Sequence, residues 1–118
     1  MTRKRAFRFS ITLWFLAAAL KQAKEEGLKP SIYTHPLGYH GHAAGPTIGL
    51  WDKQGGVPGA GDYPHWNDTV YSIELNILAA VPEWGPQEVQ IALEQDAAFT
   101  RSGARFLDQR QTKLHLIR

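Results

Sequence analysis

The sequence predicts an α+β fold: one helix, then a glycine-rich loop, then an antiparallel hairpin. Three observations carry that expectation. An apolar run with helical punctuation occupies the first quarter of the chain. Eight of the eleven glycines lie between Gly38 and Gly61. Two runs of alternating polarity, residues 69–81 and 87–99, flank a Pro82-Glu83-Trp84-Gly85-Pro86 turn. A length of 118 residues is one small domain or part of a larger one. A chain of that size buries roughly two-thirds of the surface it exposes when unfolded, enough for one modest core. The absence of cysteine excludes a disulfide framework, a thiolate zinc site and a cysteine nucleophile. A hydrophobic content of 43% with a full set of aromatics argues against disorder.

The helix is expected from about Leu16 to Glu26. Ile11, Phe15, Ala18, Ala19 and Ala23 fall near one face, and Ser10 or Thr12 is placed to cap the start. Lys21 and Lys24 suit the C-terminal dipole, Gly27 suits the stop, and Pro30 follows. A second reading stays open. Arg3, Lys4, Arg5 and Arg8 precede the apolar run Ile11–Leu20, with Ala17–Ala19 at its end, which is the layout of a secretory signal. The helix reading leaves the chain in the cytoplasm; the signal reading exports it. The run is too short to cross a bilayer, which takes about 20 residues, so no membrane partner is expected.

Charge is segregated. Residues 1–30 hold seven Lys/Arg against Glu25 and Glu26, a balance of +5. Residues 31–100 hold only Lys53 against eight acids, a balance of −7, and residues 101–118 return to +4. An acidic, histidine-containing middle is a poor nucleic-acid surface and a reasonable cation site.

The Gly38–Gly61 stretch, interleaved with Pro36, Pro46, Pro58 and Pro64, is expected to be mostly loop, with a short strand at Ser31–Thr34. A loop of that length inside a small domain is usually functional or disordered, and its aromatic and histidine content favours function. The sequence holds neither a GxGxxG nor a Gly-Lys-Ser/Thr motif, so a phosphate-cradling loop has no support. No serine sits in a Gly-x-Ser-x-Gly elbow.

The two alternating runs specify a register. Tyr71, Ile73, Leu75 and Ile77 form one apolar face; Val89, Ile91 and Leu93 form the other strand's. With the turn centred near Trp84, Glu74 lies ten residues before it and Glu94 ten after it. In an unbulged hairpin the two carboxylates stand opposite each other, with Cβ atoms about 5 Å apart. Two ionised carboxylates that close need a proton or a cation between them. A divalent metal is the simplest account; a solvated strand edge or a bulge are the alternatives.

Histidines strengthen the cation reading. His35, His40 and His42 fall within eight residues. Imidazoles ligate metals through a neutral nitrogen and also donate to developing oxyanions. One His with two Glu and no thiolate suits Zn, Mn, Co or Fe. His115, between Leu114 and Leu116, reads as structural, and His65, beside Trp66, is left open.

At this point the chain resembles a known family. Thr34-His35-Pro-Leu-Gly38 with His42 seven positions on, then Tyr71-Ser-Ile-Glu74-Leu-Asn, then Ile91-Ala-Leu-Glu94-Gln-Asp, resemble the C-terminal part of the pita-bread (creatinase/aminopeptidase-fold) metallopeptidases. That family includes methionine aminopeptidase, prolidase and Xaa-Pro aminopeptidase, and the likeness is greatest to the bacterial Xaa-Pro type. It runs from about Leu16 to Arg118; residues 1–15 form an unmatched basic and apolar leader. The resemblance implies a curved antiparallel sheet with a helix packed on one side. It implies a peptidase acting on a peptide substrate, with two divalent ions (Mn, Co or Zn) in a complete relative. His35, Glu74 and Glu94 match metal ligands, Glu94 bridging both ions. His42 matches a second histidine that contacts substrate and steadies the tetrahedral intermediate, so His42 and Glu94 are the expected catalytic residues. In that chemistry the ions supply hydroxide near neutral pH, and Glu94 carries the proton to the leaving amine.

One departure matters. The family's two Asp ligands precede the His, whereas the only acids before His35 here are Glu25 and Glu26. The chain is therefore expected to be a C-terminal fragment, with weak metal binding and little activity alone. A half-domain would also expose an apolar face, so aggregation or pairing as a homodimer is expected. Two rival classes are a non-catalytic pita-bread-like binding or scaffold protein, and a single-metal cupin-like barrel.

Overall fold

The computed structural model describes residues 9–117 apart from Leu114, and side chains from Trp14 onward. The Arg3–Arg8 basic cluster lies outside the described residues. So does any capping by the side chains of Ser10 and Thr12.

The chain is a small α+β protein: helix α1 (Phe9–Glu25) precedes a four-stranded antiparallel sheet. The strands are β1 (Lys29–Pro36), β2 (Thr69–Ala80), β3 (Glu88–Thr100) and β4 (Gly103–Phe106), in the order β1-β2-β3-β4. Neither β1 nor β4 closes on the other, so the sheet is open and the barrel expectation is set aside. No described helix is long and apolar enough to cross a membrane.

Helix α1 begins well before Leu16 and runs unbroken past residues 15 and 16, where the family resemblance starts. Its end follows the sequence. Gly27 takes a left-handed φ of 79°, the Gly27 N–H donates to Lys24 O (3.0 Å), and the Leu28 N–H donates to Ala23 O (3.0 Å). That pair of bonds is the Schellman closure, which satisfies the last carbonyls and needs a residue without Cβ at the turn. Among the described side chains of the helix Leu16 and Leu20 are buried, and the helix packs along β1. Burying each contributes about 1.5–3 kcal/mol.

The hairpin has the expected register. β2 and β3 pair Tyr71 with Ala97, Glu74 with Glu94, and Ile77 with Ile91, and a 3₁₀ turn at Pro82–Trp84 joins them. β1 is longer than the expected Ser31–Thr34 at both ends, and it places His35 opposite Ser72 and Tyr33 opposite Glu74. β4 has no counterpart in the sequence pattern: four residues are too few to show alternation, and the Arg101-Ser102 turn lacks the usual Asn-Gly chemistry.

The glycine-rich stretch is mostly loop, but it is anchored. Thr34 bridges to Ile48, and Leu50 to Lys53. Gln54 does the rest: its Oε1 accepts the Ile32 N–H (2.7 Å) and its Nε2 donates to Ile32 O (3.0 Å) and Leu50 O (2.6 Å). A side-chain amide thereby mimics a neighbouring strand and satisfies the outer edge of β1.

Candidate metal centre

Side chains alternate across the sheet, so cross-strand partners share a face. One face carries Tyr33 and His35 from β1, Ser72 and Glu74 from β2, and Glu94 from β3. His35 is 3% exposed and Ser72 is fully buried.

The His35 ring is held at both nitrogens. Nδ1 lies 3.0 Å from Pro36 O, and Nε2 lies 3.0 Å from Glu74 Oε1. Carbonyl and carboxylate oxygens both only accept, so each contact calls on a ring N–H, and the single N–H of a neutral ring serves one of them. With that N–H on Nδ1 toward Pro36 O, Nε2 is free to ligate a metal ion, the arrangement common among metal-ligating histidines.

His42 completes the group. Its ring stacks on His35 with centroids 4.0 Å apart and planes 10° apart. Donor atoms of His35, His42 and Glu74 all lie within 4.8 Å of one another. The loop that delivers His42 is tied to the same carbonyl that orients His35, because the Ala43 N–H also donates to Pro36 O (2.9 Å). Gly38 allows the close return: a Cβ there would lie 2.7 Å from His42 O and 3.0 Å from the Ala43 Cβ.

The expected ligand set is therefore redistributed. His35 and Glu74, both ligands in the family resemblance, lie 3.0 Å apart. Glu94 stands opposite Glu74, yet it is not in the metal-sized group; its Oε1 accepts a 2.6 Å hydrogen bond from Ser72 Oγ. The buried serine draws the carboxylate one row along the sheet. His42, expected to touch substrate, lies within the group that could hold a metal ion. His40 pairs edge-on with Tyr39 and is not in the group. His65 sits beside Tyr71, with ring centroids 5.1 Å apart, and burial lowers its pKa. His115 is exposed, so it is not a core histidine.

Two contributors were missed in the sequence, Ser72 and Tyr33. Each lies two residues before a chosen ligand, Glu74 and His35, and parity alone puts them on the same face. Tyr33's pKa is raised, chiefly by burial and then by the Glu74 charge. No match was found among protein-family models, curated proteins or solved structures.

Proposed function

We propose that this chain carries one half of the metal centre of a metal-dependent peptidase of the Xaa-Pro aminopeptidase or prolidase type. The observation that supports it most is the 3.0 Å contact of His35 Nε2 with the Glu74 carboxylate, with His42 stacked alongside. Two imidazoles and a carboxylate are a borderline donor set for one Zn, Mn or Co ion. The residues fit one ion. Glu94, the expected bridging ligand, is held by Ser72 and stands outside that donor group.

A bound ion would supply Lewis acidity and an acidified water. The chain's own residues do the remaining work. Pro36 O, 3.0 Å from Nδ1, steadies the His35 ring angle. Glu74 sets the charge of the centre. Glu94, on the neighbouring strand, is the carboxylate placed to hold a proton beside a peptide's reacting amide, with Ser72 orienting it. The peptide itself would lie along this face.

The reading is tested by Mn²⁺-dependent hydrolysis of an Xaa-Pro dipeptide. Slow, metal-dependent turnover that disappears in His35→Ala and Glu74→Gln is expected. Turnover indistinguishable from those variants would overturn the peptidase reading in favour of a non-catalytic, metal-binding pita-bread-like protein.

A further inference from the structure

The two edges of the sheet are finished differently. Along β1 the Gln54 amide bonds to both backbone groups of Ile32, and Thr34 bridges to Ile48. On the far side β4 pairs with residues 97–100 of β3, and the Leu107 N–H extends that ladder by one bond, to Asp96 O (2.9 Å). The segment after Leu107 stays at that end, where Gln95 Nε2 donates to Gln109 O (3.2 Å). Among the described residues, the stretch of β3 from Glu88 to Glu94 pairs with β2 alone, and Gln90 through Glu94 are all exposed.

Parity fixes which backbone groups are free. Asp96 turns its carbonyl to the outer side, and direction alternates along a strand. Glu88, Gln90, Ala92 and Glu94 therefore present N–H and C=O outward. Such an edge is a template for another strand, and proteins commonly blunt it with proline, lysine or a bulge. β3 contains no Pro or Lys, and its register with β2 is unbroken from Glu88 to Phe99. Its two glutamates are drawn inward across the sheet, Glu88 to Lys29 (2.6 Å) and Glu94 to Ser72 (2.6 Å).

The free stretch is complementary to itself. Place two copies antiparallel about a two-fold axis at Ala92. Ala92 then faces Ala92, Gln90 faces Glu94, and Ile91 faces Leu93. The outward groups of Gln90, Ala92 and Glu94 meet as hydrogen-bonded pairs. Ile91 and Leu93, 42% and 48% exposed, run on into the same residues of the second copy. Neighbouring registers are worse. An axis at Ile91 sets Glu94 against Glu88, and one at Glu94 sets that carboxylate against itself; like charges directly opposed are destabilising. An axis at Leu93 sets Gln90 against Asp96, whose carbonyl Leu107 already holds.

We propose that two copies of this chain pair through the free edges of β3, with the two-fold axis at Ala92, joining their four-stranded sheets into one. The seam is a strand edge, distinct from the apolar-face pairing expected from the sequence. It depends on neither the metal centre nor the peptidase reading.

The test is sedimentation velocity over a range of chain concentrations, with circular dichroism to confirm the fold of each variant. A reversible monomer–dimer equilibrium is expected. Ala92→Pro removes the central outward N–H, which has no partner in the β2 ladder, so the monomer keeps its fold and the dimer dissociation constant rises about tenfold or more. Gln90→Lys sets an opposite charge against Glu94 at two symmetric places and is expected to tighten the dimer about fivefold, whereas Gln90→Glu loosens it about fivefold. If Ala92→Pro unfolds, the opposed signs of the two Gln90 variants decide the matter. A monomer at every concentration, a dimer unchanged in folded Ala92→Pro, or Gln90 variants that shift the equilibrium in the same direction would overturn the proposal.

Discussion

The two faces of the sheet differ in how completely their groups are matched. On the polar face His35, Ser72 and Glu94 have specific partners within 3.0 Å, the His35–Glu74 contact among them. On the other face Tyr71 and Ala97 are buried, whereas Leu75, Ile91 and Leu93 are 38–48% exposed. The same period-2 pattern produced both. The comparison teaches that the polar face is organised by directional bonds that need no further cover. The apolar face depends on packing, which the small core near α1 provides only in part.

The sharpest way to break the comparison is at His35. His35→Ala removes a candidate ligand, the hydrogen-bond partner of Glu74 and the stacking partner of His42. Divalent-ion affinity should fall by about a hundredfold or more in calorimetric titration. A smaller change would mean that the polar face is not organised around that ring.

The next test lies on the opposite face. Burial pushes the Tyr71 phenol up to about 12 from its ordinary 10.0. The unfolded chain therefore loses this proton at a lower pH than the folded one. The stabilisation is complete below pH 10 and is lost as pH rises through about 12, amounting to about 2–3 kcal/mol. Denaturant melts between pH 9 and 12 should show that slope, and Tyr71→Phe should flatten it. His65 acts at the other limit: its lowered pKa makes stability fall as pH drops below 6.5.

Much of this was legible in the sequence, for identifiable reasons. Glu74 and Glu94 were paired correctly because a symmetric turn and strict alternation leave one register. The Gly27 stop was readable because its chemistry is local. Glu94's retreat from the ligand group was not, because it depends on Ser72 Oγ, a buried group whose bond is decided by side-chain geometry. His42's arrival was not either, because it needs the Gly38 loop to fold back on Pro36 O. β4 was too short for periodicity to register.

Gly38→Ala sharpens the same point. Its Cβ would press on the His42 backbone, so stability should drop by about 1–2 kcal/mol in denaturant unfolding. Ion affinity should fall with it, because His42 moves. The smallest effect belongs to the bare apolar face: Leu93→Lys, at a position 48% exposed, should change stability by less than about 0.5 kcal/mol. A large loss there would show that this face is as tightly matched as the polar one.

The identity of the third ligand is the point on which the metal centre turns. Titration with Co²⁺, followed by its visible ligand-field absorption, reads it directly. One saturating equivalent is expected, with the bands lost in His42→Ala and Glu74→Gln and retained in Glu94→Gln. Bands that survive His42→Ala but vanish in Glu94→Gln would contradict the His35, His42 and Glu74 assignment.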